Sequence, residues 1–431
     1  MRVVSADWVV PVEGPPIRDA AVAIEDGIIV EVGTIADLGE GEHYGDAVIL
    51  PGFVNAHTHL EYAVYAGFGD GLSFGPWIAL HVERKARIDL DDMTAIARFG
   101  ALECLRSGIT AVGDCSFSGT AATACADVGL RGIVYLEVFG ETDAPLRERF
   151  EPTRERIAGD FSDNVRLGIS PHAPYTCSID LYASCTELGL PMATHLAESE
   201  AETEFLRTGR GSWQDFAEML VPPPGTTGIR ALASAGLLGS NVLAAHCVQA
   251  DEEEIELLAA NDVAVAHCPR SNATLGCGIA PLSQLRAAGI RVGIATDSPA
   301  STPSFDMFDE MRAAIGSARA RERRPDALTA ADALELATLG GARALHWENE
   351  LGSLVPGKSA DLTVLSLAET ALIPWEDPVT AAVLGGSPQH VVATLVSGET
   401  RFEKGGKKWL ELIDAARSAR GRLLSRADLT S

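Results

Sequence analysis

GFVNAH (52–57) is a short apolar run that ends in a histidine, and its pattern recurs along the chain. ITAVGD (109–114), GIVYLEV (132–138), VRLGISPH (165–172), LPMATH (190–195), NVLAAHC (241–247), DVAVAHC (262–268) and IRVGIATD (290–297) complete a set of eight. Each has the length of a strand, and each is apolar enough to be buried on both faces. Helical stretches lie between them, such as DMTAIARFGALECLRSG (92–108), ATACADVG (122–129) and DEEEIELLAAN (251–261). The last opens on Asp251, an N-cap, and its acidic first turn suits the helix dipole. Eight buried strands separated by helices predict an α/β fold, a (β/α)8 TIM barrel. A doubly wound sheet would more often carry a glycine-rich phosphate turn after an early strand, and none is present.

The pattern differs on both sides of this region. VVSADWVV (3–10), DAAVAIEDGIIVEVG (19–33) and DAVILPG (46–52) are β-rich, and the EDG at 25–27 signals a hairpin turn. Beyond the eighth strand come helices in DMFDEMRAAIGSARA (306–320) and TAADALELATLGGARALH (329–346). Strands return in SADLTVLSL (359–367) and VVATLVSGETRFEK (391–404), with a turn at SGE (397–399). KWLELIDAARSARGRLLSRA (408–427) reads as a final helix. Residues 1–50 and 352–431 are therefore expected to form one discontinuous β-sandwich domain, and 51–351 the barrel. VPPPGTTG (221–228), between strands five and six, is expected to be a stiff loop at the mouth of the barrel.

The chain has 431 residues and a formal net charge of −26. Such a surface repels polyanions, which argues against a nucleic-acid polymer as partner. The eight cysteines form no C-x-x-C pair, and several lie in apolar runs, as reduced thiols of a cytoplasmic protein would. MRVVSADWVVPVEGPP (1–16) lacks the pattern of a secretory signal, and no apolar run is long enough to span a bilayer. A cytoplasmic protein with a small-molecule substrate and no membrane partner is expected. A homo-oligomer is left open.

Polar residues at the C-terminal ends of barrel strands converge on the catalytic face. Six of the ten histidines fall there: His57 and His59, His172, His195, His246 and His267, with Asp297 ending strand eight. His57 and His59 are two apart, so both imidazoles point to one side of the strand. His195 and Asp297 complete a set of three imidazoles and one carboxylate. That set suits one divalent metal ion, Zn²⁺ first and Fe²⁺ second, with room for a water whose pKa the metal lowers. An H-x-H pair alone is weak evidence, and a single strand-end histidine is more often structural. Convergence of six is the stronger signal. Glu198, three residues after His195, sits at the rim, where a carboxylate can move a proton between water and substrate. The alternative is that Glu198 caps the helix in SEAETEFLR (199–207). His267 stays open between site and structure, and His43, His81, His346 and His390 read as ordinary.

These residues resemble the amidohydrolase superfamily. The match is carried by PGFVNAHTHLE (51–61), HLAE (195–198), HC (246–247), TDS (296–298) and LGSLVPGKSADLTVL (351–365). The set is similar to the mononuclear aminohydrolases and chlorohydrolases, since strand four ends in SPHAPYT with no lysine placed to bridge two metals. The resemblance implies metal binding by His57, His59, His195 and Asp297. It implies proton transfer by Glu198 to a ring nitrogen, a water-orienting His246, and an Asp297 that also accepts a proton. SPHAPYTCS (170–178) and LSFGPWIA (72–79) resemble segments of adenosine, methylthioadenosine and S-adenosylhomocysteine deaminases. HLAESEAETEFL (195–206) resembles aminodeoxyfutalosine deaminases. Trp77, His172 and Ser301 are thereby implied as substrate contacts. The acidic residue that grips ribose hydroxyls in those enzymes falls here on Ala86, with Glu83 nearby. The implied reaction is hydrolytic deamination of a 6-aminopurine nucleoside. Two rivals stand beside it: dechlorination or another cyclic C–N hydrolysis on the same scaffold, and a barrel that only binds ligand.

Overall fold

A computed structural model describes every residue except 214–219, 369–372, 374, 408 and 429–431, and omits the side chains of 425–428. Eight parallel strands pair in chain order: Phe53–Thr58, Ile109–Ser116, Arg131–Val138, Val165–Pro171, Met192–Leu196, Val242–His246, Ala264–His267 and Val292–Ile294. The ring closes where Thr58 bridges to Asp297 in parallel. There the Asp297 N–H donates to the His57 carbonyl at 3.1 Å. All eight strands expected from the apolar runs are present, so the α/β barrel stands. The eighth is shorter than expected. Asp297 adopts φ 55°, and the chain leaves the extended conformation before the run ends.

Small residues let the first and last strands meet. A Cβ on Gly293 would lie 2.8 Å from both the Ala56 Cβ and the Gly341 Cα. Around the barrel, the helix Leu90–Arg106 starts at Asp89, whose side chain accepts from the Asp92 N–H at 2.9 Å. It buries Ile96, Ala97, Ala101 and Leu105 completely. Burying Ile96 and Leu105 contributes about 1.5–3 kcal/mol each, and the two alanines less. The helix Glu252–Ala260 is closed by a capping box of Asp251 and Glu254, as its acidic opening predicts.

The two ends of the chain meet in one mixed sheet. Its order is Glu399–Glu403, Val391–Val396, Leu362–Ser366, Ala47–Pro51, Arg2–Val9, Ile17–Glu25 and Ile28–Thr34, with Glu42–His43 also paired to Arg2–Val9. The turn at Asp26-Gly27 has φ 50° and 81°, and that at Ser397-Gly398 has 51° and 71°. Both match the left-handed turn that a two-residue hairpin requires. The two turns touch, since a Cβ on Gly27 would come within 2.7 Å of the Ser397 carbonyl oxygen. The final helix runs Leu410–Asp428; Lys408, where the sequence begins it, lies outside the described residues. Among the described residues, no helix is long and apolar enough to cross a membrane. All eight cysteines are buried and unpaired.

A buried ion pair ties this sheet to the barrel. Arg131 opens the third barrel strand, and its Nε donates to Asp361 at 3.1 Å, with 7% and 2% of the two side chains exposed. Asp361 also accepts from the Ser397 N–H and the Ser359 hydroxyl. Asp361→Ala strands the Arg131 charge in the interior. We expect it to cost about 3–5 kcal/mol in urea unfolding, and a loss below about 1 kcal/mol would rule out this anchoring role.

Candidate active site at the C-terminal face of the barrel

The strand ends place their polar residues around one point. His57 and His59 share the first strand, and their Nε2 atoms lie 3.7 and 3.6 Å from Asp297 Oδ1. His195 Nε2 lies 3.4 Å from His59 Nε2. The ligand-type atoms of His57, His59 and Asp297 fall within 4.8 Å of one another, as do those of His57, His195 and His246.

Each ring is oriented from behind. His59 Nδ1 donates to the Cys115 carbonyl at 2.9 Å, and His195 Nδ1 to the His172 carbonyl at 2.8 Å. Both therefore turn a bare Nε2 inward. Asp297 is fixed through Oδ2, which accepts from the hydroxyls of Ser271 at 2.6 Å and Ser301 at 2.9 Å. Its Oδ1 is left to face the imidazoles. His57 Nε2 is buried without a hydrogen-bond partner. An orphaned imidazole nitrogen beside two other Nε2 atoms and a carboxylate is a donor set that fits a divalent cation.

The electrostatics agree with that fit. Burial, aided by the His57 charge, pushes His59 down to about 3, and burial holds His195 well below the ordinary histidine range. Neutral imidazoles are the form that binds a metal. Burial pushes the Asp297 carboxyl up. The adjacent His57 imidazole and the charges of His246 and His59 outweigh burial and hold it well below the usual carboxylate range. Glu198 goes the other way, raised by burial and then by the Asp297 charge. Two carboxyls driven apart in one site are suited to separate acid and base roles.

Glu198 does not cap the helix that follows it. Glu200–Thr208 is capped by Ser199 and Glu202, each bonded to the other's backbone N–H. The Glu202 carboxylate also accepts from the N–H groups of Ala197 at 2.9 Å and Glu198 at 2.7 Å. The turn is tight, with Ala197 at φ 51°, and it points Glu198 at the cluster. Glu198 Oε1 lies 3.6 Å from His246 Nε2. His246 Nδ1 donates to Asn272 Oδ1 at 3.0 Å.

A cavity of about 420 Å³ opens over this cluster, bounded by His59, His195, Glu198, His246 and Asp297 among others. Trp77 and His172 line it as well. Ser301 is not among the lining residues; its hydroxyl is engaged by Asp297. Glu83 pairs with Arg87 on the surface, and Ala86 lines the cavity instead. His267 is buried outside the cavity, with both ring nitrogens unpartnered. Residues 221–228 do not line the cavity, but Trp213 and Leu220, just before that loop, do. The lining residues that the sequence reading did not single out include His81, Lys85, Glu137 and Arg149. Two signals for them were there. Trp77, His81 and Lys85 repeat every four residues on one helix face, and Glu137 is a polar strand end like the histidines.

Comparison with known proteins agrees with this geometry. The amidohydrolase family model matches residues 48–401. A 5′-deoxyadenosine deaminase of Methanothermobacter thermautotrophicus is 32% identical over 93% of this chain and 94% of its own length. A 5-methylthioadenosine/S-adenosylhomocysteine deaminase of Moorella thermoacetica is 34% identical over 94% of each. The crystal structure of an adenosine deaminase from Xanthomonas campestris with bound zinc superposes with a TM-score of 0.87, at 28% identity over 98% of both chains. With the barrel, the converging histidines and these matches in place, the chain belongs to the amidohydrolase family.

Proposed function

We propose that the protein hydrolyses the 6-amino group of a purine nucleoside-type substrate, releasing ammonia and a 6-oxo product. One observation carries the chemistry: Glu198, its carboxyl raised by burial, and Asp297, held low, flank a cluster of inward-facing imidazoles. The relatives that deaminate adenosine-type nucleosides point to the substrate class.

In this reading His57, His59, His195 and Asp297 hold one divalent ion, with Zn²⁺ favoured by the donor set. When bound, that ion acts as a Lewis acid on water at neutral pH. Glu198 takes a proton from the attacking water and passes it to a ring nitrogen next to C6. His246, oriented by Asn272, aims its Nε2 at the same water. Asp297 Oδ1 receives the second proton, because Ser271 and Ser301 occupy Oδ2. Trp77 and His172 bracket the heterocycle, the indole lying against its flat face. Oxygen replaces nitrogen at C6, and the amino group takes the second proton from Asp297 and leaves as ammonia.

The test is a panel of adenosine, 5′-deoxyadenosine, methylthioadenosine, S-adenosylhomocysteine, aminodeoxyfutalosine, guanine and cytosine, assayed with metal-replete protein. Ammonia is expected from the 6-aminopurine nucleosides. Ammonia from none of them, with chloride released from a chlorotriazine, would overturn the reading.

A further inference from the structure

The final helix, Leu410–Asp428, packs on two loops of the catalytic face. Its Ala416, Ala419 and Leu423 are buried in one apolar cluster with Val64 and Tyr65, which follow the first barrel strand, and with Ala300, which follows the eighth. The start of the helix stands off. A cavity of about 700 Å³ lies between its Trp409 and Ile413 side and Phe99 and Phe305. The fastening therefore falls on the second half of the helix. There the Arg422 Nε donates to Asp92 Oδ1 at 2.7 Å, and Asp92 is buried in the first turn of the helix Leu90–Arg106.

Arg420 reaches further. Its guanidinium donates to the Val64 carbonyl and, at 3.5 Å, to the Ala66 carbonyl. It also lies 4.9 Å from the centroid of the Phe68 ring. The Arg84 guanidinium lies 4.0 Å from the same centroid, and Arg84 belongs to the helix Phe74–Lys85, which carries Trp77. Through Phe68 the final helix is thus joined to the Trp77 helix. The segment between them has little else to hold it. Gly67, Gly69 and Gly71 take φ of 84°, 76° and 78°, and Gly67 and residues 70–73 are exposed. The Phe68 N–H donates to the Tyr65 carbonyl at 3.1 Å and the Leu72 N–H to the Gly69 carbonyl at 3.0 Å, which are local turns. Glycines give such a segment many other conformations once it is unfastened.

This segment backs the indole. A Cβ on Gly69 would lie 3.1 Å from Trp77 Cδ1, so the loop backbone and the ring are in close contact. The indole N–H donates to the Ala300 carbonyl at 3.3 Å, and Ala300 sits in the cluster that the final helix buries. Both supports of the ring therefore rest on that helix. We propose that the final helix straps the Trp77 indole in its place on the cavity wall, with Arg420 the positioning residue that fastens it. The proposal rests on the deaminase reading for the contact between Trp77 and the heterocycle. The indole binds the ring and moves no proton, so loosening it weakens substrate binding and spares the chemical step.

The test uses the full chain, metal-replete. Arg420→Met keeps the apolar stem and removes the donors. It should raise KM for 6-aminopurine nucleosides by about 3- to 10-fold, the range of one aromatic contact, with kcat within about 2-fold. Arg420→Lys keeps a cation and a donor and should restore most of the loss. Arg417→Ala removes an exposed pair with Asp414 on the same helix and should change neither constant. Trp77→Ala should raise KM by itself, and adding Arg420→Met should raise it little more, because the two act through one contact. Hydrogen exchange needs no substrate. The Phe68 and Leu72 amides should exchange faster in Arg420→Met and in Phe68→Leu, with the barrel strands unchanged. If no nucleoside is turned over but those amides exchange faster, the deaminase reading fails and the strap stands. Unchanged exchange in both variants, or KM effects of Arg420→Met and Trp77→Ala that multiply in full, would overturn it.

Discussion

Glu198→Gln protein should bind its full complement of metal, about one ion per chain, and lose turnover by about 10²–10⁴-fold. The substitution keeps the shape and the hydrogen-bonding capacity of a buried side chain. It removes the one thing the role requires, a proton that comes and goes. The fold should survive, because the turn at 197–199 is held by the Glu202 carboxylate rather than by Glu198. Circular dichroism and metal analysis check the first half of this expectation, and steady-state ammonia release the second. Near-full turnover in the variant would remove Glu198 from proton transfer.

His57→Ala should have the larger effect. His57 faces Asp297 Oδ1 on one side, and its ring packs 4.9 Å from that of His59 and 5.0 Å from that of His195. In the proposed reading, deleting it takes one of four donors from the site, with His246 the nearest other imidazole. Metal content should fall to about a tenth of an ion per chain or less, and turnover by at least about 10³-fold. A variant that keeps both metal and rate would show that the ion is held elsewhere. Chelation of the wild type, followed by titration with Zn²⁺ or Fe²⁺, then reports which ion restores activity.

Much of this was readable beforehand, for physical reasons. Strands buried on both faces leave continuous apolar runs, so eight of them stood out and the barrel followed. C-terminal strand ends in a barrel gather at the catalytic face, so the rule that found His57 also found His195, His246 and Asp297, although His267, which it also found, is buried outside the cavity. Positions set by helix packing and loop path were harder. Arg149 reaches the cavity across a bend after strand three, and nothing in PLRERF (145–150) signals that. Ser301, four residues after Asp297, was expected against substrate from the resemblance alone. In three dimensions that spacing folds it back onto the Asp297 carboxylate. The helix that carries Trp77 also carries Lys85, and four-residue periodicity would have linked them had it been applied to polar residues.

The closing contact between Thr58 and Asp297 has a consequence for how the molecule holds together. Most neighbouring strands in the ring share a ladder; here a single bridge joins the first strand to the residue just past the last, as sparse as the single register pair, Met192 with Ile169, between the fourth and fifth strands. The ligand-type atoms sit on both sides of that join: His57 and His59 before it, Asp297 after it. A bound cation would work as a rivet across this thin seam of the barrel. Opening of the ring at this seam would part the donors, so under the proposed site a bound ion would stabilise the closed barrel as well as support turnover.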